Sequence, residues 1–409
     1  MSAIPELGLK RSLTLPLITL YGLGTTVGAG IYALLGKVAG EAGVLVPFSF
    51  LLAAALAAFT ACSFAELSSR LPKSAGEAIY VREGFNAPRL ALVVGLLVAA
   101  SGIVSAAAIA NGAVGYLHEF MDLPREFLIP VIVLILGALA AWGISESVVM
   151  AGVFTVVELF GLGLVVWAAH ESFGNFPDWA AEVGPSFAVG GGFGVIAGAY
   201  LAFYAFLGFE DMVNVAEEVK EVRRNLPTAI LLTLGATAVV YFVVALAAVL
   251  ALPLGELAES GAPLALIFER GTGLSPAAIS IIAIFAVMNG ALIQIVMAAR
   301  VLYGLGNERH LPGWFAHIHP RTRTPLISTM ISTAVVILLA LWFPIAVLAE
   351  TTSFLMLIVF TLVNLALVIL KRRDPRPEGV WAFPAWIPIV GFLVSGASVI
   401  IEIGRRLIF

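Results

Sequence analysis

Two glycine-rich stretches interrupt apolar runs of the chain and could expose backbone groups that bind charged molecules. The first, residues 22–30 with the sequence GLGTTVGAG, combines four glycines with two threonine hydroxyls. The second, residues 205–211 with the sequence AFLGFED, follows the glycine-rich residues 190–194. A lone glycine in an apolar helix most often serves close helix packing. This density of glycines and hydroxyls instead predicts a helix that is broken at each stretch.

The two breaks would present complementary partial charges. Amides freed near residues 26–30 lie at the start of a half-helix, where the helix dipole favours an anion such as a carboxylate. Carbonyls freed at residues 204–206 lie at the end of a half-helix, where a cation such as an ammonium is stabilised. An α-amino acid has both groups, which favours it over a sugar or a simple cation. The candidate substrate-binding residues are Thr25, Thr26, Val27, Gly28, Ala29 and Gly30 at the first break, Tyr204, Ala205, Phe206 and Gly208 at the second, and Ser105 and Asn289 on neighbouring segments.

The composition indicates a membrane protein. Of the 409 residues, 61% are apolar and 12% are charged, and the mean hydropathy is +1.04, whereas soluble domains have about 25% charged residues. These values exclude a soluble enzyme and a disordered chain, and the net charge of −4 offers no basic surface to a nucleic acid. The single Cys62, the scattered histidines and the lack of a GxxxxGK[ST] sequence exclude a disulfide framework, a metal cluster and a nucleotide-hydrolysing loop. No cofactor is therefore expected.

Eleven charge-poor stretches are long enough to cross a bilayer, which requires about 20 apolar residues per helix. They are residues 12–36, 42–65, 90–117, 127–145, 147–169, 184–209, 225–255, 271–299, 324–349, 351–370 and 383–401. The first is about twice as long as the apolar core of a signal peptide and is expected to be a span. We therefore predict an all-α polytopic membrane protein. Residues 1–373 would form a core of ten spans, and residues 374–409 a linker and an eleventh span.

The basic residues predict the orientation of the spans. With the N-terminus in the cytoplasm, seventeen Lys and Arg residues fall in inside loops and five in outside loops. This asymmetry agrees with the positive-inside rule and predicts a cytoplasmic N-terminus. The expected location is the cytoplasmic membrane. Arg405 and Arg406 are exceptions, because an eleventh span carries them to the outside.

The two broken segments are spans one and six, five spans apart. Because five is an odd number, a five-span unit that is repeated once has its second copy upside down in the membrane. Broken helices at matching positions of two inverted halves are typical of secondary transporters, and they mark the substrate site near the middle of the bilayer. We therefore expect two inverted repeats, at about residues 10–170 and 184–373.

Five motifs, in the same order along the chain, resemble those of the amino acid–polyamine–organocation superfamily, and in particular its branch similar to cationic amino acid transporters. They are residues 24–32 (GTTVGAGIY), 70–80 (RLPKSAGEAIY), 203–209 (FYAFLGF) with 216–219 (AEEV) and Pro227, 300–303 (RVLY) with 311–312 (LP), and 350–353 (ETTS) with 360–364 (FTLVN). The resemblance covers residues 10 to about 373 and implies the leucine-transporter fold. In that fold, two inverted five-helix repeats hold the substrate at discontinuous helices one and six. The chain departs from many members by stopping after span eleven.

Glu158 is the one charged residue in the predicted span at residues 147–169. Ionisable residues at such positions usually face a cavity or a partner. In several proton-coupled or sodium-independent relatives this position of helix five is a lysine that stands in for a sodium ion. The sodium site of related transporters also uses a hydroxyl pair on helix eight, where this chain has Asn289 and Gly290. The resemblance therefore argues against sodium and favours proton coupling at Glu158, although oxygens of Thr25, Thr26 and Glu158 would also suit an altered cation site. Glu210 and Asp211 are expected at the cytoplasmic exit of helix six, in a solvated or gating role.

The sequence thus predicts a secondary active transporter that moves an amino acid across the cytoplasmic membrane by alternating access, coupled to protons. Its expected partners are the amino acid or amine, the proton and the lipid bilayer. One alternative is an amine or polyamine carrier, in which Glu158 would hold a second ammonium group; another is an amino acid exchanger. A transporter-like nutrient sensor would normally need a soluble domain of at least ~50 residues, which the loops do not provide. A membrane enzyme would need more than one lone carboxylate within the spans.

Overall fold

The computed structural model describes residues 13–73, 76–142, 148–307, 311–320, 322 and 324–408. These residues are 85% helical and contain no β-strand. Lys10, Arg11, Arg309, Arg321 and Arg323, which contribute to the predicted orientation, lie outside the described residues. The all-helical architecture agrees with the prediction of a polytopic membrane protein.

Sixteen α-helices lie in the described part of the chain, joined by short loops and short 3₁₀ or π segments. They are α1 (Leu15–Thr26), α2 (Ala29–Ala42), α3 (Val46–Arg70), α4 (Gly76–Phe85), α5 (Pro88–Leu117), α6 (Arg125–Trp142), α7 (Val148–Ala168), α8 (Phe176–Ser186), α9 (Gly192–Phe203), α10 (Val222–Ala251), α11 (Leu254–Glu259), α12 (Pro263–Thr272), α13 (Ala277–Asn307), α14 (Leu326–Trp342), α15 (Ile345–Arg373) and α16 (Trp386–Ile408).

Each predicted span overlaps helical structure. The first covers α1 and the first part of α2, and the sixth covers α9 and the turn that follows it. By length and apolar composition, eight helical segments of the described residues could cross a membrane, and one of them runs from Gly30 to Arg70 through a bend at Gly43. Two further apolar helices, Gly152–Ala168 and Leu326–Trp342, are shorter.

The helix is interrupted within both glycine-rich stretches. Between α1 and α2, Val27 and Gly28 have non-helical backbone angles. After α9, one 3₁₀ turn (Tyr204–Phe206) leads into extended backbone at Leu207, and a 3₁₀ helix (Glu210–Glu218) follows. Gly208 lies between them with a φ of 128°. L-residues with a side chain rarely adopt this backbone angle, so the second break depends on glycine here.

A buried ionic cluster fastens the linker before α16 to the end of α3. The Glu66 carboxylate accepts hydrogen bonds from Lys371 Nζ at 2.6 and 2.7 Å and from Arg70 Nε at 2.9 Å. The backbone N–H of Phe383, in the linker, donates to Glu66 Oε2 at 2.8 Å. Arg70 donates in turn to the carbonyl of Asp374 at 2.9 Å. One buried carboxylate therefore joins α3, the end of α15 and the linker.

Candidate functional site

The two helix breaks are in direct contact. Gly30 lies against Ala205 so closely that a Cβ atom on Gly30 would overlap Ala205 Cα and Cβ. A Cβ on Gly208 would likewise overlap the backbone of Thr25 and Thr26. The Thr25 hydroxyl lies 3.0 Å from the Gly208 carbonyl, to which it can donate. The absence of side chains at Gly30 and Gly208 is therefore what lets the two breaks meet.

A tyrosine on α10 connects the two breaks by hydrogen bonds. The Tyr241 hydroxyl is 2.8 Å from the Thr26 carbonyl and 2.9 Å from the Ala205 carbonyl. Its ring is fully buried and packs edge-on against Phe206 at a centroid distance of 5.1 Å. The sequence-based expectation of a free carbonyl at Ala205 is therefore wrong for this conformation. The reason is that a donor from a distant helix reaches the carbonyl.

The amides at the first break are only partly available. Val27 N–H donates to the Leu23 carbonyl at 2.6 Å, and Gly28 N–H donates to the Thr26 carbonyl at 3.1 Å. The expectation of free amides is wrong for these two residues, because both amides donate to carbonyls of α1. The first hydrogen bond of α2 runs from Tyr32 N–H to the Gly28 carbonyl. The preceding amides, such as that of Gly30, have no acceptor within α2.

Side chains at the first break differ in their surroundings. A Cβ on Gly28 would meet no atom within 4 Å. The hydroxyl of Thr26 is buried and has no hydrogen-bond partner among the described residues. The side chain of Ala29 lies outside the described part of the chain. Gly28 and Thr26 thus provide open space and an unused polar group at the start of α2.

Ser105 joins the second break to a small cavity. The Ser105 hydroxyl and the Tyr204 hydroxyl are 2.9 Å apart and share a hydrogen bond. The cavity beside Ser105 has a volume of about 20 Å³, enough for about one water molecule. It is lined by Glu77, Val98, Ser101, Ser105, Leu207, Glu210, Asp211, Gln294, Met297, Thr352 and Met356.

A larger cavity of about 460 Å³ lies next to the small one. Glu77, Val98, Asp211 and Met297 line both cavities, so these four residues form the boundary between them. The larger cavity includes the exposed Arg82 and Arg300 and therefore reaches the surface. Its remaining lining is mainly apolar and comes from Tyr21 of α1, from α4, α5 and α13, and from the 3₁₀ helix after the second break.

The structure brings most, but not all, of the candidate residues together. Thr25, Thr26 and Gly30 contact Ala205 or Gly208 across the two breaks, and Ser105 is bonded to Tyr204. Asn289 is half-buried on α13 and lines neither of the two cavities. Tyr241, which bonds to both breaks, was missed by the sequence analysis. The only available signal was a phenol in the middle of an apolar helix.

The prediction of a solvated role for Glu210 and Asp211 is wrong. Both are buried, because the chain beyond the second break remains inside the bundle. The Glu210 carboxylate accepts the Gly208 N–H at 2.8 Å, and Gln294 Nε2 lies 3.4 Å from an oxygen of Asp211. With Glu77, they supply three carboxyl groups to the small cavity.

Glu158 is buried in the middle of α7, with an exposed fraction of 2%. Its Oε2 atom has no hydrogen-bond partner among the described residues. The backbone carbonyl of Glu158 accepts the Tyr32 hydroxyl at 3.0 Å, which connects α7 to α2 just after the first break. Glu158 therefore lies on a helix whose backbone is bonded to α2 next to the first break.

Glu77 should make the stability of the protein depend on pH. It lies on α4, and burial raises the pKa of its carboxyl from 4.5 to about 8, with a further contribution from the negative charge of Asp211. Because the pKa is raised in the folded state, the stabilisation is complete below about pH 4.5 and is lost as the pH rises towards 8. We expect the melting temperature of the wild type to fall over this range and that of Glu77→Gln to fall less, with the variant about 2–5 °C more stable at pH 8.

Thermal unfolding in detergent at several pH values tests this expectation. Glu83→Gln is the matched control, because Glu83 lies on the same helix but its side chain is 47% exposed. Parallel pH profiles for all three proteins would contradict the role assigned to Glu77.

Comparisons with known proteins agree with this architecture. The sequence model of the amino acid permease family matches residues 13–403. Cationic amino acid transporter 3, mitochondrial, of Arabidopsis thaliana is 30% identical over 390 residues, which are 90% of this chain and 64% of that protein. Human cationic amino acid transporter 4 is 28% identical over 91% of this chain and 61% of its own length. The chain thus spans less than two thirds of either protein.

Other relatives are covered more completely. The methylthioribose transporter of Bacillus subtilis is 27% identical over 414 residues, which cover 95% of this chain and 87% of that protein. An uncharacterized transporter of Mycobacterium tuberculosis is 31% identical over 94% of this chain and 84% of its own length. All of these proteins are named as transporters. The chain therefore belongs to the amino acid permease family of the amino acid–polyamine–organocation superfamily, and its apolar helices indicate a multi-pass membrane protein.

Proposed function

We propose that this protein is a secondary active transporter that moves an amino acid across the cytoplasmic membrane by alternating access. The observation that carries the proposal is the contact between the two helix breaks. The carbonyls of Thr26 and Ala205, which share the Tyr241 hydroxyl, and the unpartnered Thr26 hydroxyl all belong to the residues at this contact. Non-helical backbone inside a membrane protein is tolerated where it is buried or lines a cavity, and it often forms the substrate site.

The packing of the helices supports an inverted repeat. If α1 corresponds to α9 and α3 to α10, the contact between α1 and α10 should recur between α9 and α3. Both contacts are present. If α5 corresponds to α13 and α7 to α15, the contact between α5 and α15 should recur between α13 and α7, and it does. Each of these contacts between a helix of the first half and one of the second half thus recurs between the two corresponding helices, as expected for two related halves.

The larger cavity fits the cytoplasmic route to the site. With the N-terminus inside, α4 and the end of α13 lie on the cytoplasmic side, and their exposed residues Arg82 and Arg300 line the cavity. The small cavity continues from it to Ser105, which is bonded to Tyr204 at the second break. In this interpretation the protein opens towards the cytoplasm, with the breaks packed together above the cavities.

A second candidate function is transport of a cationic amino acid or an amine. Three carboxyl groups and no Lys or Arg side chain line the small cavity, so a positively charged substrate group would be favoured there over a negative one. Two of the relatives described above are named for cationic amino acids, whereas another is named for methylthioribose.

Uptake by the purified protein in liposomes tests both candidates. Labelled neutral amino acids, cationic amino acids and diamines would be supplied outside, with and without imposed pH or sodium gradients. Accumulation of an amino acid supports the proposal. Accumulation of diamines in preference to amino acids would favour the amine carrier, and transport of neither class would refute both.

Replacement of Glu158 tests the coupling ion. We propose that Glu158 takes up a proton on one side of the membrane and releases it on the other. Glu158→Gln imitates the protonated form permanently, so it should retain binding and exchange but lose accumulation driven by a pH gradient. A gradient of one pH unit can drive about tenfold accumulation of a substrate that moves with one proton. This advantage should disappear in the variant.

Glu402→Gln is the matched control, because Glu402 is also a buried carboxyl group but lies on α16, outside the proposed ten-span core. Wild-type uptake that ignores pH and requires sodium would contradict proton coupling. If Glu158→Gln loses binding of cationic substrates alone, Glu158 is a substrate ligand instead.

A further inference from the structure

The hydroxyl of Tyr241 has one hydrogen but lies within hydrogen-bond distance of two backbone carbonyls. They belong to Thr26, at 2.8 Å, and Ala205, at 2.9 Å. The Thr26 carbonyl also accepts the Gly28 N–H at 3.1 Å. The Ala205 carbonyl therefore depends more strongly on the Tyr241 hydrogen, since a buried acceptor without a donor is costly.

Ala205 is also where a bound amino acid would place its ammonium group, if the proposed function is correct. An ammonium has three N–H donors and could satisfy this carbonyl by itself. The substrate and Tyr241 are then alternative donors to one acceptor: Tyr241 serves the empty protein, and the ammonium serves the loaded one.

We propose that the Tyr241 hydroxyl takes the place of the substrate ammonium in the empty transporter and so allows the empty protein to reorient across the membrane. This inference rests on the proposed function and adds a positioning residue to it. Net transport requires the empty carrier to return in every cycle, whereas exchange moves only loaded carriers. The Tyr241 hydroxyl should therefore be needed for net transport but not for exchange.

The local packing supports a role in holding the breaks together. Gly30 and Gly208 bring the two backbones into contact, and the rings of Phe206 and Phe50 enclose Tyr241 at centroid distances of 5.1 and 5.6 Å. The Tyr241 side chain is fully buried among these groups. When the empty carrier passes through its closed intermediate, the Ala205 carbonyl must keep a donor from the protein itself.

The test compares net transport with exchange for Tyr241→Phe in liposomes. The variant keeps the ring and removes the hydroxyl. Uptake into empty liposomes should fall about tenfold or more, in line with the usual effect of a buried acceptor that loses its donor. Exchange into liposomes preloaded with the same amino acid should stay within about twofold of the wild type.

Tyr116→Phe is the matched control. The Tyr116 hydroxyl is also buried and donates to a carbonyl of the first span, that of Tyr32, at 2.6 Å. This bond joins α5 to α2 and does not connect the two breaks. Its loss should change stability but leave the ratio of net transport to exchange unchanged.

The outcomes distinguish the inference from the proposed function. If the wild type moves no amino acid in either assay, the proposed function fails and the inference fails with it. If the wild type is active but Tyr241→Phe lowers both rates equally, or lowers neither, only the inference is overturned. An equal change of the ratio in Tyr116→Phe would also overturn it. Should Tyr241→Phe not fold, infrared difference spectra of the wild type with labelled tyrosine must show a weakened tyrosine hydrogen bond on substrate addition; an unchanged spectrum overturns the inference.

Discussion

Alanine at Gly30 should reduce transport between about tenfold and a hundredfold without preventing membrane insertion. The added methyl group would overlap Ala205 Cα and Cβ, so the two helix breaks would have to move apart. Such overpacking costs about 1–3 kcal/mol where the neighbour cannot yield, and backbone yields less readily than a side chain. The measurement is the initial uptake rate, normalised to the amount of inserted protein.

Gly28→Ala is the internal control, because a Cβ at Gly28 meets open space. Its rate should remain within about threefold of the wild type, since no backbone has to move. Valine at Gly28 tests a separate point: a larger side chain would fill the space in which a carboxylate is expected, so uptake should be lost. Wild-type rates for Gly30→Ala would contradict the need for contact between the breaks, and wild-type rates for Gly28→Val would contradict the carboxylate assignment.

Glutamine at Glu66 should destabilise the protein by about 3–5 kcal/mol, because it leaves buried cations without their carboxylate. Lys371 and Arg70 both bond to Glu66 and are themselves almost completely buried. Without the carboxylate, two positive charges would face each other inside the protein. The measurement is thermal or denaturant-induced unfolding in detergent.

Two further variants test the physical reason for this prediction. Glu256→Gln breaks an exposed ion pair with Arg270, whose side chains are 47% and 48% exposed, and it should cost at most about 1 kcal/mol. Glu66→Gln combined with Lys371→Met removes one of the stranded charges and should regain part of the lost stability. Equal melting temperatures for Glu66→Gln and Glu256→Gln would show that the buried cluster contributes no more than a surface pair.

The positions of the helices could be predicted well from the sequence, because a bilayer imposes the same requirement on every span. Gaps between charges located the apolar helices, and the dense glycines at residues 22–30 marked the first break. Gly208 was recognised as part of the second break, where its φ of 128° now explains the need for glycine. These are local properties that a chain displays without its tertiary partners.

Partners from distant parts of the chain could not be predicted. Glu210 and Asp211 were expected in a solvated or gating role, and their burial could not be foreseen, since an acidic pair after an apolar run has the same sequence whether it is hydrated or enclosed. Tyr241 resembled any other aromatic residue of an apolar helix until its hydroxyl was found between two carbonyls. Glu66 has a local partner in Arg70, but its other cation, Lys371, is 305 residues away along the chain, and no local pattern could identify it.

The ionic cluster at Glu66 has a consequence for the order of synthesis. Glu66 enters the membrane with α3, but its bonds to Lys371 and to the Phe383 amide span 305 and 317 residues of chain. At about 5–20 residues per second, a ribosome needs roughly 15–60 s to supply these partners. During that time Arg70, four residues away, is the cation that can accompany Glu66. A nascent chain released before residue 383 would retain an incompletely satisfied carboxylate, by which membrane quality control could distinguish it from the finished protein.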